Sequence, residues 1–212
     1  MVSVTWHGHS LFQLEGSATV ATDPHNGASL GLPAPGFRAD IVTVSHLHGD
    51  HASGLGLFTG ARVFMAAEET AVMGVRLRGV ECSHDDDRGR RLGSNVVWSF
   101  DVDGVRFTHT GDLGHHLTAR QLSEIGSTDV LFLNTGSDLA LAEENAALLD
   151  PRVVVPMHYE TPGIVFQWYR MKTVEEFTAG KRGVVHVGRS HEYAPGTLPA
   201  RPEIHVYTPP KL

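Results

Sequence analysis

The run Ser45-His-Leu-His-Gly-Asp-His51 constrains this chain more than any other feature, because four side chains able to ligate a metal fall within six residues. It follows Asp40-Ile-Val-Thr-Val-Ser45, an apolar run that reads as a buried strand, so the cluster sits where that strand ends. His46 and His48, two apart, point to one side of an extended segment. Asp50 and His51 follow a glycine and turn toward a second point in space. One tight segment can therefore seed two neighbouring metal positions. Imidazole with carboxylate suits Zn²⁺, Mn²⁺ or Fe better than Ca²⁺ or Mg²⁺.

Composition agrees with nitrogen and oxygen ligation, since the chain has 14 histidines and a single cysteine. Cys82 rules out an internal disulfide framework; two residues before His84 in an apolar run, it reads as a small buried hydrophobe. The 212 residues suffice for one domain with a full core, and no low-complexity linker divides them, so 1–212 reads as a single domain. No apolar stretch reaches the length of a membrane span, and Met1-Val-Ser-Val-Thr-Trp6 lacks the pattern of a secretory signal. A cytoplasmic protein with no membrane partner is expected, and a homo-oligomer is compatible with the sequence. A net charge of −7 argues against a nucleic-acid partner bound through bulk charge, although bound dications would change the local field.

Along the chain, Val2–Trp6, Leu11–Leu14 and Thr19–Thr22 read as short antiparallel strands, and residues 26–38 as a Gly- and Pro-rich loop. After the metal-ligand run come an expected short helix at Gly54–Phe58, a strand at Arg62–Met65, a helix at Ala67–Val75 and a strand at Gly79–Cys82. Val96–Phe100 and Val105–His109 form an expected hairpin across Asp103-Gly104. Leu117–Ile125 and Leu139–Leu149 read as helices, Asp129–Leu133 and Arg152–Met157 as buried strands. Strands first, then alternation, then a hairpin, then alternation again fits neither a Rossmann chain nor a plain sandwich. It fits an α/β, four-layer αβ/βα sandwich: two mixed β-sheets face to face with helices outside.

Three further candidates stand at strand ends: His84 after Val80-Glu-Cys-Ser, Asp112 after Val105–Gly111, and His158 after Arg152–Met157. Ligands leaving the carboxyl ends of several strands can converge on one crevice. His46, His48, Asp50, His51, His84, Asp112 and His158 then form a set sized for two metals with open positions. Asp112 could also be a turn residue, and the neighbouring Asp85, Asp86 and Asp87 read as a solvated or supporting run.

With these residues in view, the chain resembles the metallo-β-lactamase superfamily, and within it the compact metal-dependent hydrolase branch that includes the UlaG-like lactonases. The resemblance rests on Trp6-His-Gly-His-Ser10, Thr22-Asp-Pro24, the H-x-H-x-D-H run, His84–Arg91, Thr110-Gly-Asp-Leu-Gly-His115 and Val155-Pro-Met-His-Tyr159. It implies that His46, His48 and His84 hold one divalent ion, that Asp50, His51 and His158 hold a second, and that Asp112 bridges them. Zn is the leading choice of metal, with Mn or Fe as alternatives. A hydroxide between the ions would attack an ester, lactone or phosphodiester bond of a small molecule. Asp50 is a candidate proton shuttle and His115 a candidate proton donor.

His9 is placed near the metals by the same resemblance, and Asp23 is a candidate acceptor for a ligating histidine. His7, His25, His109, His116, His186, His191 and His205 have no distinctive spacing and read as surface or core residues. Trp168 and Tyr169 read either as substrate-pocket lining or as rim packing. Asn134-Thr-Gly-Ser-Asp138 departs from the Pro and Gly-Gly turn more common in the related hydrolases, which is expected to affect substrate choice and not the metals. Two rival readings remain: a catalytically silent metal-binding or regulatory protein of the same fold, and a di-iron oxidoreductase. The second is disfavoured because His48 stands where such proteins usually carry an acid.

Overall fold

The computed structural model describes residues 1–211. Its first sheet is built from Val2–Trp6 (β1), Phe12–Glu15 (β2), Thr19–Thr22 (β3), Ile41–Thr43 (β4) and Arg62–Phe64 (β5). The second takes Glu69–Val72 (β6), Val75–Ser83 (β7), Ser94–Val102 (β8), Val105–His109 (β9), Val130–Asn134 (β10) and Val153–Met157 (β11). Three late strands complete them: Val184–Gly188 (β12) and Glu203–Tyr207 (β14) join the second sheet, and Ser190–Tyr193 (β13) returns to the first. The orders are β13-β1-β2-β3-β4-β5 and β12-β14-β11-β10-β9-β8-β7-β6. Both sheets are mixed. The first changes from antiparallel to parallel pairing at β3, and the second does so at β9.

Alternation of side chains explains the layers. In β1, Val2, Val4 and Trp6 are buried while Ser3 and Thr5 are partly exposed. β10 is buried throughout because both of its faces are covered. Val130 and Phe132 join the core between the sheets, whereas Leu131 and Leu133 join a second core under the helices Ala119–Ile125 and Leu139–Leu149. The rings of Phe12 and Phe132, one from each sheet, stack with centroids 4.2 Å apart. Burying a phenylalanine of this kind contributes about 1.5–3 kcal/mol.

The helices begin where their sequences cap them. A capping box joins Thr118 to Gln121 at the start of the first, and the Asp138 carboxylate accepts from the Leu141 N–H at the start of the second. On the opposite outer face, Leu11, Ala21, Val42 and Val44 pack with Phe58 and against Phe37 and Leu55. That layer holds only short turns: Gly49–Ala52 is one turn of α-helix, and Ala28–Leu30 and Leu55–Leu57 are 3₁₀ turns. Among the described residues no helix is long and apolar enough to cross a membrane.

Two expectations are corrected, and the short helix expected at Gly54–Phe58 is found in 3₁₀ form. Ala67–Val75 is not a helix: Glu69–Val72 is a strand hairpinned onto Val75–Ser83, with Val72 paired to Val75. Met73 and Gly74 both have positive φ, the two-residue turn that suits twisted strands, and strand pairing overrides the helix-forming Ala-Ala-Glu-Glu start. Gly54–Phe58 forms a 3₁₀ turn, because the α-helical turn falls earlier, on the candidate metal-ligand run itself. Asp85 is not solvated. It is buried, and its carboxylate accepts from the N–H groups of Asp87, Gly89, Arg91 and Leu92, which shapes the whole loop.

Candidate metal centre

The candidate ligands follow strand ends on both sheets. His46 and His48 lie just beyond β4, and Asp50 and His51 on the helical turn after it. His84 follows β7, Asp112 follows β9, and His158 follows β11. The sheets stack so that these ends meet at one edge. Donor atoms of His46, His48 and His84 lie within 4.8 Å of one another, as do those of His9, Asp50, His51 and His158, and those of His46, His51 and Asp112. All seven expected ligands are therefore brought together, with His9 added.

Asp112 sits between the two halves. Its Oδ2 lies 3.2 Å from His84 Nε2, 3.9 Å from His46 Nε2, 3.4 Å from His51 Nε2 and 3.3 Å from His158 Nε2. Asp50 Oδ2 lies 2.9 Å from His9 Nε2, 3.3 Å from His51 Nε2 and 3.4 Å from His158 Nε2.

The histidine tautomers are set from behind. Buried Asp23 accepts from the Ser45 N–H and from the Ser45 hydroxyl, each at 2.6 Å, and from His51 Nδ1 at 2.7 Å. Having donated to Asp23, Ser45 Oγ accepts from His46 Nδ1 at 3.0 Å. One carboxylate thus leaves the Nε2 lone pairs of His46 and His51 turned toward the cluster.

The donor chemistry fits divalent ions. Among the described residues, His51 Nε2 and both ring nitrogens of His158 are fully buried without a hydrogen-bond partner, and His46 Nε2 abuts His48 Nδ1 at 3.1 Å. Lone pairs crowded together and orphaned are costly unless a cation accepts them.

Without metal, the charges settle by proton sharing. Burial alone would raise the Asp50 and Asp112 carboxyls, but the surrounding histidines outweigh it and hold both well below the usual range. Burial would lower His51 and His158, yet Asp112 with Asp23 raises the first, and Asp112 with Asp50 raises the second to about 9. Burial dominates at His9 and His46, which fall to about 3.

His9, Asp23 and His158 all hold positive φ despite carrying side chains. Each such conformation costs about 1–3 kcal/mol and persists where the surroundings enforce it. The strain seats the rings of His9 and His158 3.8 Å apart. Sequence patterns carry no sign of it.

His115 is placed otherwise. Its Nε2 accepts from the Ser83 N–H at 3.1 Å and its Nδ1 donates to the His116 carbonyl at 2.8 Å, so both nitrogens are engaged in holding the loop. His25 and His109 are likewise held by backbone groups on both ring nitrogens.

The Asn134–Asp138 loop reaches the cluster, contrary to the expectation that it leaves the metals alone: Asn134 Nδ2 donates to Asp112 Oδ1 at 2.7 Å. A Cβ on Gly136 would lie 1.7 Å from the His158 carbonyl oxygen, so only glycine fits there. Beside the cluster opens a cavity of about 740 Å³, floored by His84 and Asp112 and walled by Asp86, Asp138, Glu144 and Tyr169. Phe166, which the sequence did not single out, packs on His158 and His9 and carries Trp168 and Tyr169 against its edges.

A fold of two mixed sheets with a His- and Asp-lined centre at one edge defines a metallohydrolase-like class, and comparison with known proteins agrees. The profile of the β-lactamase superfamily domain matches residues 3–158. The chain belongs to the metallo-β-lactamase superfamily. A protein from Thermococcus onnurineus named as a metal-dependent hydrolase is 30% identical over 193 residues, covering 76% of this chain and 86% of its own. One of the same description from Methanoculleus marisnigri is 30% identical over 224 residues, covering 91% and 97%. The crystal structure of a proposed Zn-dependent hydrolase of this superfamily from Thermotoga maritima superposes with a TM-score of 0.79 at 32% identity, covering 98% of both chains.

Proposed function

We propose that the protein is a hydrolase working with two divalent ions on a small, uncharged or cationic ester or lactone. The observation that carries this reading is the position of Asp112 Oδ2 between two donor sets, the second of which holds the orphaned ring nitrogens of His51 and His158. His46, His48 and His84 would hold one ion, Asp50, His51 and His158 the other, with Asp112 common to both. When bound, such ions supply Lewis acidity and a water acidic enough to act as nucleophile near neutral pH.

The chain's own residues supply the rest. Asp50 meets its three histidine neighbours through Oδ2, which leaves Oδ1 to receive a proton from the attacking water or pass one to the leaving group. His9 donates to that same Oδ2 and fixes the carboxylate's rotation. The engaged nitrogens of His115 favour Asp50 over it as the proton carrier.

Charge supports the choice of substrate. The cavity walls carry Asp86, Asp138 and Glu144, while Arg91, the one cavity-lining guanidinium, is paired with Asp86. Glu144 is paired with His116, so among the described residues Asp138 is the wall carboxylate without an ion-pair partner, and an anionic group lying away from the ions would meet it unbalanced, which favours neutral or cationic tails.

The test is elemental analysis of natively purified protein, followed by hydrolysis assays on protein reloaded with Zn²⁺, Mn²⁺ or Fe²⁺. Two ions per chain with turnover of neutral esters or lactones is the expected result. Fully loaded protein inert toward every ester, lactone and phosphodiester would overturn it in favour of a silent binding role.

A further inference from the structure

Asp112 has two carboxylate oxygens, and the structure treats them differently. Oδ2 faces the Nε2 atoms of four histidines at 3.2–3.9 Å. Oδ1 turns away and accepts from Asn134 Nδ2 at 2.7 Å. The Asn134 amide cannot be reversed, because its Oδ1 accepts from the Gly136 N–H at 3.0 Å; flipping it would set donor against donor and oxygen against carboxylate. The topology makes the contact possible: β9 and β10 run parallel with Phe132 opposite His109, so Asn134, ending β10, comes alongside the turn that carries Asp112. The Asp112 backbone is pinned separately, its N–H donating to Asn95 Oδ1 at 3.0 Å.

We propose that Asn134 is a positioning residue that ties back one Asp112 oxygen so that the other alone is presented to both donor sets. This rests on the two-ion reading above. An unrestrained carboxylate could rotate and offer both oxygens, spreading the centre or favouring one half of it. With Oδ1 occupied by the amide, rotation breaks a buried charge-assisted hydrogen bond.

The experiment compares wild type with Asn134→Leu, which keeps the size and removes the donor, and Asn134→Asp, which sets a second negative charge against Asp112. Stepwise Mn²⁺ binding is followed by calorimetry, and magnetic coupling between the bound ions by electron paramagnetic resonance. In Asn134→Leu the pair of ions should bind at least about tenfold more weakly, the scale typical of lost supporting contacts. The coupling should change, and Asn134→Asp should weaken pair binding further. Wild-type affinity and wild-type coupling in both variants would overturn the proposal. Should Asn134→Leu fail to fold, Asn134→Asp alone decides by the same two measurements. A wild-type protein that never shows coupled ions would instead defeat the two-ion reading itself, and this proposal with it.

Discussion

Asp23 accepts from His51 Nδ1 at 2.7 Å although neither residue has any notable solvent contact. The same carboxylate holds Ser45, and through it His46, so one acid orients two candidate ligand histidines that lie on the same short segment. Replacing Asp23 by Asn removes an acceptor and inserts an N–H₂ among donors. Metal affinity should fall about 10–100-fold. Competition against a chromophoric chelator reads this directly; unchanged affinity in a folded Asp23→Asn protein would remove Asp23 from the role.

Gly136→Ala should destabilise the fold by at least about 1–3 kcal/mol and lower metal content, because the new Cβ collides with the His158 carbonyl and displaces its ring. Gly36→Ala, at a position with open space, is the matched control and should stay within about 0.5 kcal/mol of wild type. Urea titrations of the two variants make the comparison. Equal stability would mean the loop moves aside freely.

In the metal-stripped protein His158 is raised to about 9 from 6.5, since Asp112 and Asp50 outweigh its burial. Protonated His158 therefore adds stability that is complete below pH 6.5 and fades as pH climbs through about 9. A bound ion takes the proton's place, so loading should release protons and should stabilise increasingly over that range. Melting curves of stripped and loaded protein should diverge from pH 6.5 to 9. Convergence would contradict the assignment of His158 to the cluster.

The carboxylates of the cavity predict discrimination by charge. Of two esters sharing a leaving group, the one bearing a quaternary ammonium should have kcat/KM at least about tenfold above the one bearing a carboxylate, equivalent to about 1.4 kcal/mol. Added salt should shrink the gap. An anionic ester turned over as fast would exclude this cavity as the substrate's seat.

Cys82 is buried and its thiol is pushed up to about 12. Iodoacetamide at pH 8 should leave it unmodified in the folded protein and alkylate it in denaturant, as mass spectrometry would register.

Much of this was legible in the sequence because strand ends announce themselves. His46, His48, Asp50 and His51 share one segment, and His84, Asp112 and His158 each close an apolar run, so their convergence follows once the strands are stacked. The part that stayed hidden is of three kinds. Strands β12 and β13 have partly exposed faces and weak alternation, β14 is buried from Ile204 to Tyr207 and shows no alternation, and β13 crosses back to the other sheet, a long-range pairing no local pattern reports. The hairpin at Met73-Gly74 was masked by helix-forming neighbours. The resemblance places His9 near the centre, but its bond to Asp50, like the contacts of Asn134 and Phe166, crosses the centre between distant segments, which no local pattern reports.

His46, Asp50 and His51 issue from the six-stranded sheet, while His84, Asp112 and His158 issue from the eight-stranded one. Ions seated there would act as a rivet through the sandwich. Forcing the halves apart would mean tearing coordination bonds as well as peeling aromatic rings, so mechanical resistance should be concentrated at the edge proposed for the metal centre.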